Sequence, residues 1–99
     1  MDTLLYILLG GLIANSLPHI VNGVSGRPFH TPFARPPVRG LSSPVVNVVW
    51  GVANLYAAAA LYHLGIDRAD GERLQMGAVG LGFTATLILL AWLFARLDR

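Results

Sequence analysis

Apolar positions in this chain fall in three blocks separated by two polar connections. Thr3 to Gly23, Val45 to Leu64 and Leu74 to Phe94 carry no charged side chain. Each block is about twenty residues long, and at a rise of ~1.5 Å per residue each matches the ~30 Å hydrocarbon layer of a bilayer. The pattern predicts a single all-α membrane domain, 1–99, with three transmembrane helices in an antiparallel up-down-up bundle. The expected bounds are helix 1 over about 3–23, a loop over 24–42, helix 2 over about 43–64, an outer loop over 65–73 and helix 3 over about 74–95. Ser42-Ser43-Pro44 marks the start of helix 2, a hydroxyl cap followed by a proline whose missing N–H does no harm in the first turn. Gly65 marks its exit. The next connection, "GIDRADGER", is short and polar, so helices 2 and 3 are expected as a tight antiparallel pair. Pro18, inside helix 1, removes the donor to the Ala14 carbonyl and predicts a kink unless a neighbour satisfies that oxygen.

Within the blocks the polar positions are few and regularly spaced. Asn15, His19 and Asn22 project from one face of helix 1. Helix 2 repeats the seven-residue interval with Asn47 and Asn54, and carries Trp50 and Gly51 between them. In one antiparallel register Asn22 meets Asn47, His19 meets Trp50, Asn15 meets Asn54 and Gly11 aligns with Ala58. Polar side chains are costly in hydrocarbon unless paired, so they are expected to face the bundle interior. Asn15 and Asn54 read as a helix-pairing contact. Gly10, Gly11, the alanines 57–60, Gly77, Gly80 and Thr84 predict close packing toward the other end of the bundle.

The first connection is the unusual one. "GRPFHTPFARPPVRG", Gly26 to Gly40, repeats Pro-Phe at Pro28-Phe29 and Pro32-Phe33 and holds Arg27, His30, Arg35 and Arg39. A loop of this length is usually functional or disordered, and its aromatic pair favours an ordered cap. The reading that follows is a recess lined by His19, Asn22, Asn47 and Trp50 and roofed by Arg27, Phe29, His30, Arg35 and Arg39. Arginine forks beside amphipathic aromatics suit a phosphate or carboxylate on an apolar body.

Charge adds an orientation. The chain has no lysine, and its formal net charge of +2 comes from seven arginines, all outside the apolar blocks. Arg27, Arg35 and Arg39, with Arg96 and Arg99 in the tail, lie on one side. Arg68 and Arg73 lie on the other, outnumbered by Asp2, Asp67, Asp70 and Glu72. The positive-inside rule places the proline-rich loop and the C-terminus in the cytoplasm, N-out and C-in, with Tyr6 and Tyr62 at the outer interface and Trp92 at the inner one. Met1-Asp2-Thr3 lacks the positive start of a signal peptide, so helix 1 is expected to stay in the protein.

Several chemistries are excluded. Without cysteine there is no disulfide, thiolate site or thiol nucleophile. No Asp, Glu, Lys or Arg lies in a span, which removes the usual carboxylate of a proton-coupled exporter. His19 and His63 sit at different depths and do not share a haem iron, and His19 with His30 lacks a third metal ligand. Ser42 or Ser43 beside His30 reads as capping rather than catalysis. No catalytic residue, metal, cofactor or nucleic-acid partner is expected.

"NSLPHIVNGVSGRPFHTPFARPP" followed by "SSPVVNVVWGVAN", about Asn15 to Asn54, resembles a family of small uncharacterised bacterial integral membrane proteins. The resemblance implies a bacterial inner-membrane location and carries no activity. The expected function is non-enzymatic binding of an anionic amphiphile, a lipid headgroup or amphipathic metabolite, with membrane lipids as partners. A homo-oligomeric channel or transporter, or an accessory subunit of a larger membrane complex, are the alternatives.

Overall fold

The computed structural model describes residues 2–66 and 75–97. Three helices are long and apolar enough to cross a membrane: Asp2–Val24, Pro44–Gly65 and Met76–Leu97. The first is α1 and the last α3. The middle one is α2, Pro44–Ala60, continued by a π-helical turn, Leu61–Gly65. The Ile66 N–H closes that turn on the Leu61 carbonyl at 3.0 Å. Between α1 and α2, strand β1, Phe29–His30, pairs antiparallel with β2, Leu41–Ser42. Most of the expected outer loop 65–73, with Arg68 and Arg73, lies outside the described residues, as do Leu74 and Arg99.

The expected pairing of helices 2 and 3 is not what forms. α1 lies between them and packs against both, while α2 and α3 barely touch among the described residues. The reason lies in where the backbones can approach. A Cβ on Gly10 would stand 2.0 Å from the Val79 carbonyl oxygen, and one on Gly82 1.9 Å from the Ile7 carbonyl oxygen. On the α2 side, a Cβ on Gly51 would stand 3.0 Å from the Ser16 carbonyl oxygen, and one on Gly23 2.6 Å from that of Pro44. Small residues at these crossings let dispersion act over the full backbone contact, the main attraction between helices in lipid. Gly82 was not among the residues expected at the contact. Gly77 and Gly80 were, yet nothing approaches either within 4 Å. A Cβ on Gly11 would stand 3.0 Å from Thr86 Oγ1 on α3, so this glycine faces α3 and not Ala58.

α1 runs unbroken through Pro18. The Ser16 hydroxyl donates to the Ile13 carbonyl at 2.6 Å and the Asn22 amide to the Pro18 carbonyl at 2.7 Å. Both are local side-chain bonds to the helix backbone on either side of the proline, and neither is to the Ala14 carbonyl that loses its donor at Pro18.

Apolar burial is concentrated at one end. Tyr6, Leu9, Ala58 and Ile66 form the buried cluster, with Leu5, Leu12, Ile13, Leu61 and Val79 packed around it. Tyr6 is fully buried there and is not the interfacial anchor expected of it. Tyr62 packs against the cluster, and Trp92 is exposed.

The crossing geometry makes a direct prediction. Gly82→Ala forces α1 and α3 apart and lowers the stability of the purified protein in detergent by about 1–3 kcal/mol, read as thermal unfolding by circular dichroism. Gly80→Ala, two residues away in open space, leaves the transition where it was.

Candidate functional site

The loop is built on α1 by a glycine cap. Gly26 holds φ at 75°, the Gly26 N–H bonds the Gly23 carbonyl at 3.1 Å, and the Arg27 N–H bonds the Asn22 carbonyl at 2.9 Å. These two bonds and the left-handed glycine make a Schellman motif, which ends α1 and turns the chain back over it. β1 and β2 follow, and between them the chain is drawn tight. The Thr31 carbonyl accepts from the N–H groups of Ala34 and Val38 at 3.2 and 2.9 Å, and His30 Nδ1–H donates to the carbonyls of Arg39 and Gly40 at 3.1 and 3.2 Å. His30, Thr31 and Ala34 are buried.

Asn47 ties this loop to both helices. Its Nδ2 donates to the carbonyls of Phe29, Ser42 and Ser43, at 3.1, 3.1 and 3.0 Å. Three carbonyls around one nitrogen fix the amide orientation, so Oδ1 is the atom facing His19 Nδ1 at 2.8 Å. An amide oxygen only accepts; His19 therefore donates from Nδ1, and in the neutral ring Nε2 is left as an acceptor. The residue is completely buried. The same logic applies one turn deeper. Asn54 Nδ2 donates to the Trp50 carbonyl at 2.9 Å, which turns its Oδ1 toward Asn15 Nδ2 at 3.0 Å. Asn15 Oδ1 is the acceptor left over.

The Asn15 and Asn54 pairing is the one expected. The partner of Asn47 is His19 rather than Asn22, because an imidazole reaches across one helical turn. Asn22 instead stays at the end of α1, where its oxygen accepts from Arg27 Nε at 3.0 Å. His19 and Trp50 make no ring contact but line the same recess.

Rings clamp the loop down. Phe29 meets His19, His30 and Phe94 edge-on with centroids 5.6, 5.2 and 4.7 Å apart, and His30 stacks on Phe94 at 5.2 Å. Phe33 stands edge-on to Trp50 at 5.0 Å. Under this lid lies a cavity of about 170 Å³, reached by Asn15 and His19 from α1, Trp50 from α2, Leu90, Leu93 and Phe94 from α3, and Thr31 and Val38 from the loop. Val38 holds φ at 67°, a costly conformation for a β-branched residue.

The arginines do not roof this recess as a group. Arg27 is tied to Asn22, and Arg35 lies exposed on the tight turn. Arg39 lines a neighbouring groove of about 650 Å³ with Trp92, Leu93, Arg96 and Leu97. Arg96 there lies over the Trp92 ring at 4.8 Å. Leu93 borders both the groove and the recess. Ser43 accepts from the Val46 N–H as the α2 cap, and the Ser42 hydroxyl pairs with that of Thr31, so both serines serve the fold.

Sequence reading missed Thr31, Val38, Leu93, Phe94 and Arg96. Thr31 had a signal, a hydroxyl two residues before Phe33, whose N–H it accepts at 3.2 Å. Val38 lies in the loop with no such signal, and Leu93, Phe94 and Arg96 belong to α3, whose approach to the loop follows from Gly10 and Gly82 rather than from any motif.

Asn47→Leu removes four side-chain hydrogen bonds, among them the amide's links to the Phe29 and Ser42 carbonyls and the acceptor of the His19 N–H; the Ser43 carbonyl keeps the backbone N–H of residue 47. A loss of at least ~3 kcal/mol in loop anchoring is expected, read as tryptic cleavage after Arg39. Arg27 and Arg35 both precede proline and are poor tryptic sites, so this bond reports on the loop alone. Resistance equal to that of the unsubstituted protein would refute the assignment. No family model, curated protein or solved structure matches the chain, so the reading of the site rests on this geometry.

Proposed function

We propose that this is a multi-pass membrane protein that binds an anionic amphiphile without chemical conversion, the anionic group at Arg39 and Arg96 and the apolar body passing Leu93 into the recess. One observation carries the reading: two arginines from different elements and a tryptophan line one groove, and that groove shares a wall with a recess that is otherwise largely apolar. Guanidinium pairs recognise phosphate and carboxylate through forked, charge-assisted hydrogen bonds. Trp92, more than half exposed, is the type of side chain that settles at headgroup level.

The division of labour differs from a simple polar pocket. Asn15 Oδ1 and His19 Nε2 are acceptors and repel an anion, so the charge belongs in the groove. Asn47 and Asn22 are spent on the fold, and their part is to hold His19 and the loop in place. His30 anchors the loop and presents its ring to Phe94.

The positive-inside rule supports a cytoplasmic loop and C-terminus, because Arg27, Arg35, Arg39 and Arg96 gather at one end of the bundle. The inner membrane of a bacterium is the setting we assign.

The test is lipid retention. The protein in nanodiscs of mixed phosphatidylglycerol and phosphatidylcholine is examined by native mass spectrometry. Arg39→Ala/Arg96→Ala is expected to lose bound phosphatidylglycerol by at least tenfold, since each charge-assisted contact contributes about 1.5–3 kcal/mol. Arg35→Ala, outside the groove, retains it. Equal retention in all three proteins would remove the arginine groove from the function.

A further inference from the structure

The acceptors in the recess identify what enters it. Asn15 and His19 lie four residues apart on α1 and both line the cavity. Each has its donor side committed, Asn15 Nδ2 to Asn54 and His19 Nδ1 to Asn47. Each therefore turns an acceptor to whatever occupies the space beside it, and neither Asn15 Oδ1 nor His19 Nε2 has a hydrogen-bond partner among the described residues. His19 is 98 % buried, at 2 % relative exposure, so little but an occupant of the recess can reach its ring. The Thr31 hydroxyl is already engaged with Ser42 and the Phe33 N–H. His30, which also lines the recess, has its Nδ1 committed to the Arg39 and Gly40 carbonyls, and the remaining lining is apolar or aromatic: Trp50, Leu90, Leu93, Phe94, Pro32 and Val38.

We infer that the recess is a subsite for a neutral, hydroxyl-bearing ring of the phenol or quinol class, whose O–H donates to His19 Nε2. Three features select that class. The occupant must supply a donor to pair with the acceptors that Asn15 and His19 turn to the recess. It must be neutral: an anion is repelled by the acceptors, and a cation by Arg39 and Arg96 in the adjoining groove. It must be flat and apolar, since the walls come from the Trp50 and Phe94 rings and aliphatic side chains, and about 170 Å³ accommodates one such ring with little to spare. Asn15 Oδ1, one turn away, is placed for a second hydroxyl or a bridging water. The inference rests on the recess being the ligand site of the preceding reading, and it uses the arginines only to exclude a cation.

The experiment compares 4-hexylphenol with 4-hexylanisole, its methyl ether, on the full chain in nanodiscs. The ether keeps the ring and tail and deletes only the donor. The phenol is expected to bind about tenfold more tightly, the effect of one hydrogen bond to a buried acceptor. On binding it is expected to move the ¹⁵N resonance of His19 Nε2, assigned by substituting each of the three histidines in turn. His19→Phe should abolish the preference for phenol over ether. Because that variant leaves Asn47 Oδ1 unpaired and can misfold, the ¹⁵N shift on the unsubstituted protein stands as the independent reading. Equal affinity for phenol and ether, or binding of the phenol with an unmoved His19 resonance, overturns the inference. If phosphatidylglycerol is lost in Arg39→Ala/Arg96→Ala while phenol and ether bind alike, the amphiphile reading stands and the ring assignment falls. If the phenol discriminates and the arginine variant keeps its lipid, the ring assignment stands without the groove.

Discussion

The arrangement of this protein depends on one carboxamide. Asn47 is fully enclosed, and a buried amide left without partners costs several kcal/mol in surroundings where water is scarce. Its four contacts are therefore obligatory, and they come from three places: the imidazole of α1, the carbonyl of β1, and two carbonyls at the junction of β2 with α2. Satisfying one side chain fixes the height of α2 against α1, the position of the lid and the tautomer of His19. The Phe29 and Phe94 rings then extend the same joint to α3. Remove the amide and α1 and α2 keep the Asn15–Asn54 hydrogen bond and apolar contacts, but the loop loses its directional tie to both helices.

Around that joint the helices divide their work unequally. α1 is the spine because it carries glycines toward both neighbours, Gly10 toward α3 and Gly23 toward α2, while α2 and α3 answer with Gly51 and Gly82. Two helices that each dock on a third need not meet. The gap between them is what the recess occupies: Trp50 comes from one flank, Leu90, Leu93 and Phe94 from the other, and Asn15 and His19 from the spine. At the opposite end Tyr6, Leu9, Ala58 and Ile66 form the buried cluster, beside an apolar groove of about 440 Å³ that Leu55, Tyr62, Met76 and Val79 help to line. The polar, hollow end with the loop recess and the apolar end with the buried cluster thus lie apart, a consequence of where large apolar and polar residues fall along a single spine.

How much of this is legible in the sequence depends on the range of the interaction that decides it. The three apolar blocks, the Ser43 cap with Pro44 behind it and the Asn15 and Asn54 pair are visible, because each rests on spacing within a helix or on one equal interval between two. The partner of Asn47 was not, because seven-residue spacing predicts backbone register while hydrogen bonding follows side-chain reach, and His19 reaches a turn further than Asn22. Tyr6 looked interfacial from its position near a helix end, and its burial depends on Ile66 folding back beyond the π turn, which no local pattern announces. The fate of the arginines was the hardest part. Three occur within thirteen residues, yet the tight turn sends Arg35 outward and the Schellman cap draws Arg27 to Asn22, and only Arg39 reaches a groove.

Local rules are broken at the hollow end more than elsewhere, and this supports reading it as the functional end. Val38 holds a left-handed backbone at a cost of about 1–3 kcal/mol, and two acceptors on α1 face a recess that gives them no protein partner. At the apolar end the comparable irregularity is Asp2, whose buried Oδ2 has no hydrogen-bond partner among the described residues. A carboxylate there sits in the first turn of α1, where the helix dipole favours negative charge. No such compensation accompanies Val38, Asn15 and His19. Chains retain locally unfavourable features where something outside the fold repays them, and these three converge on one cavity. A bundle selected for stability alone would have placed leucine at 19 and glycine at 38. The amide joint thus serves two ends at once: it sets the loop and helices in place and holds the His19 ring against the recess.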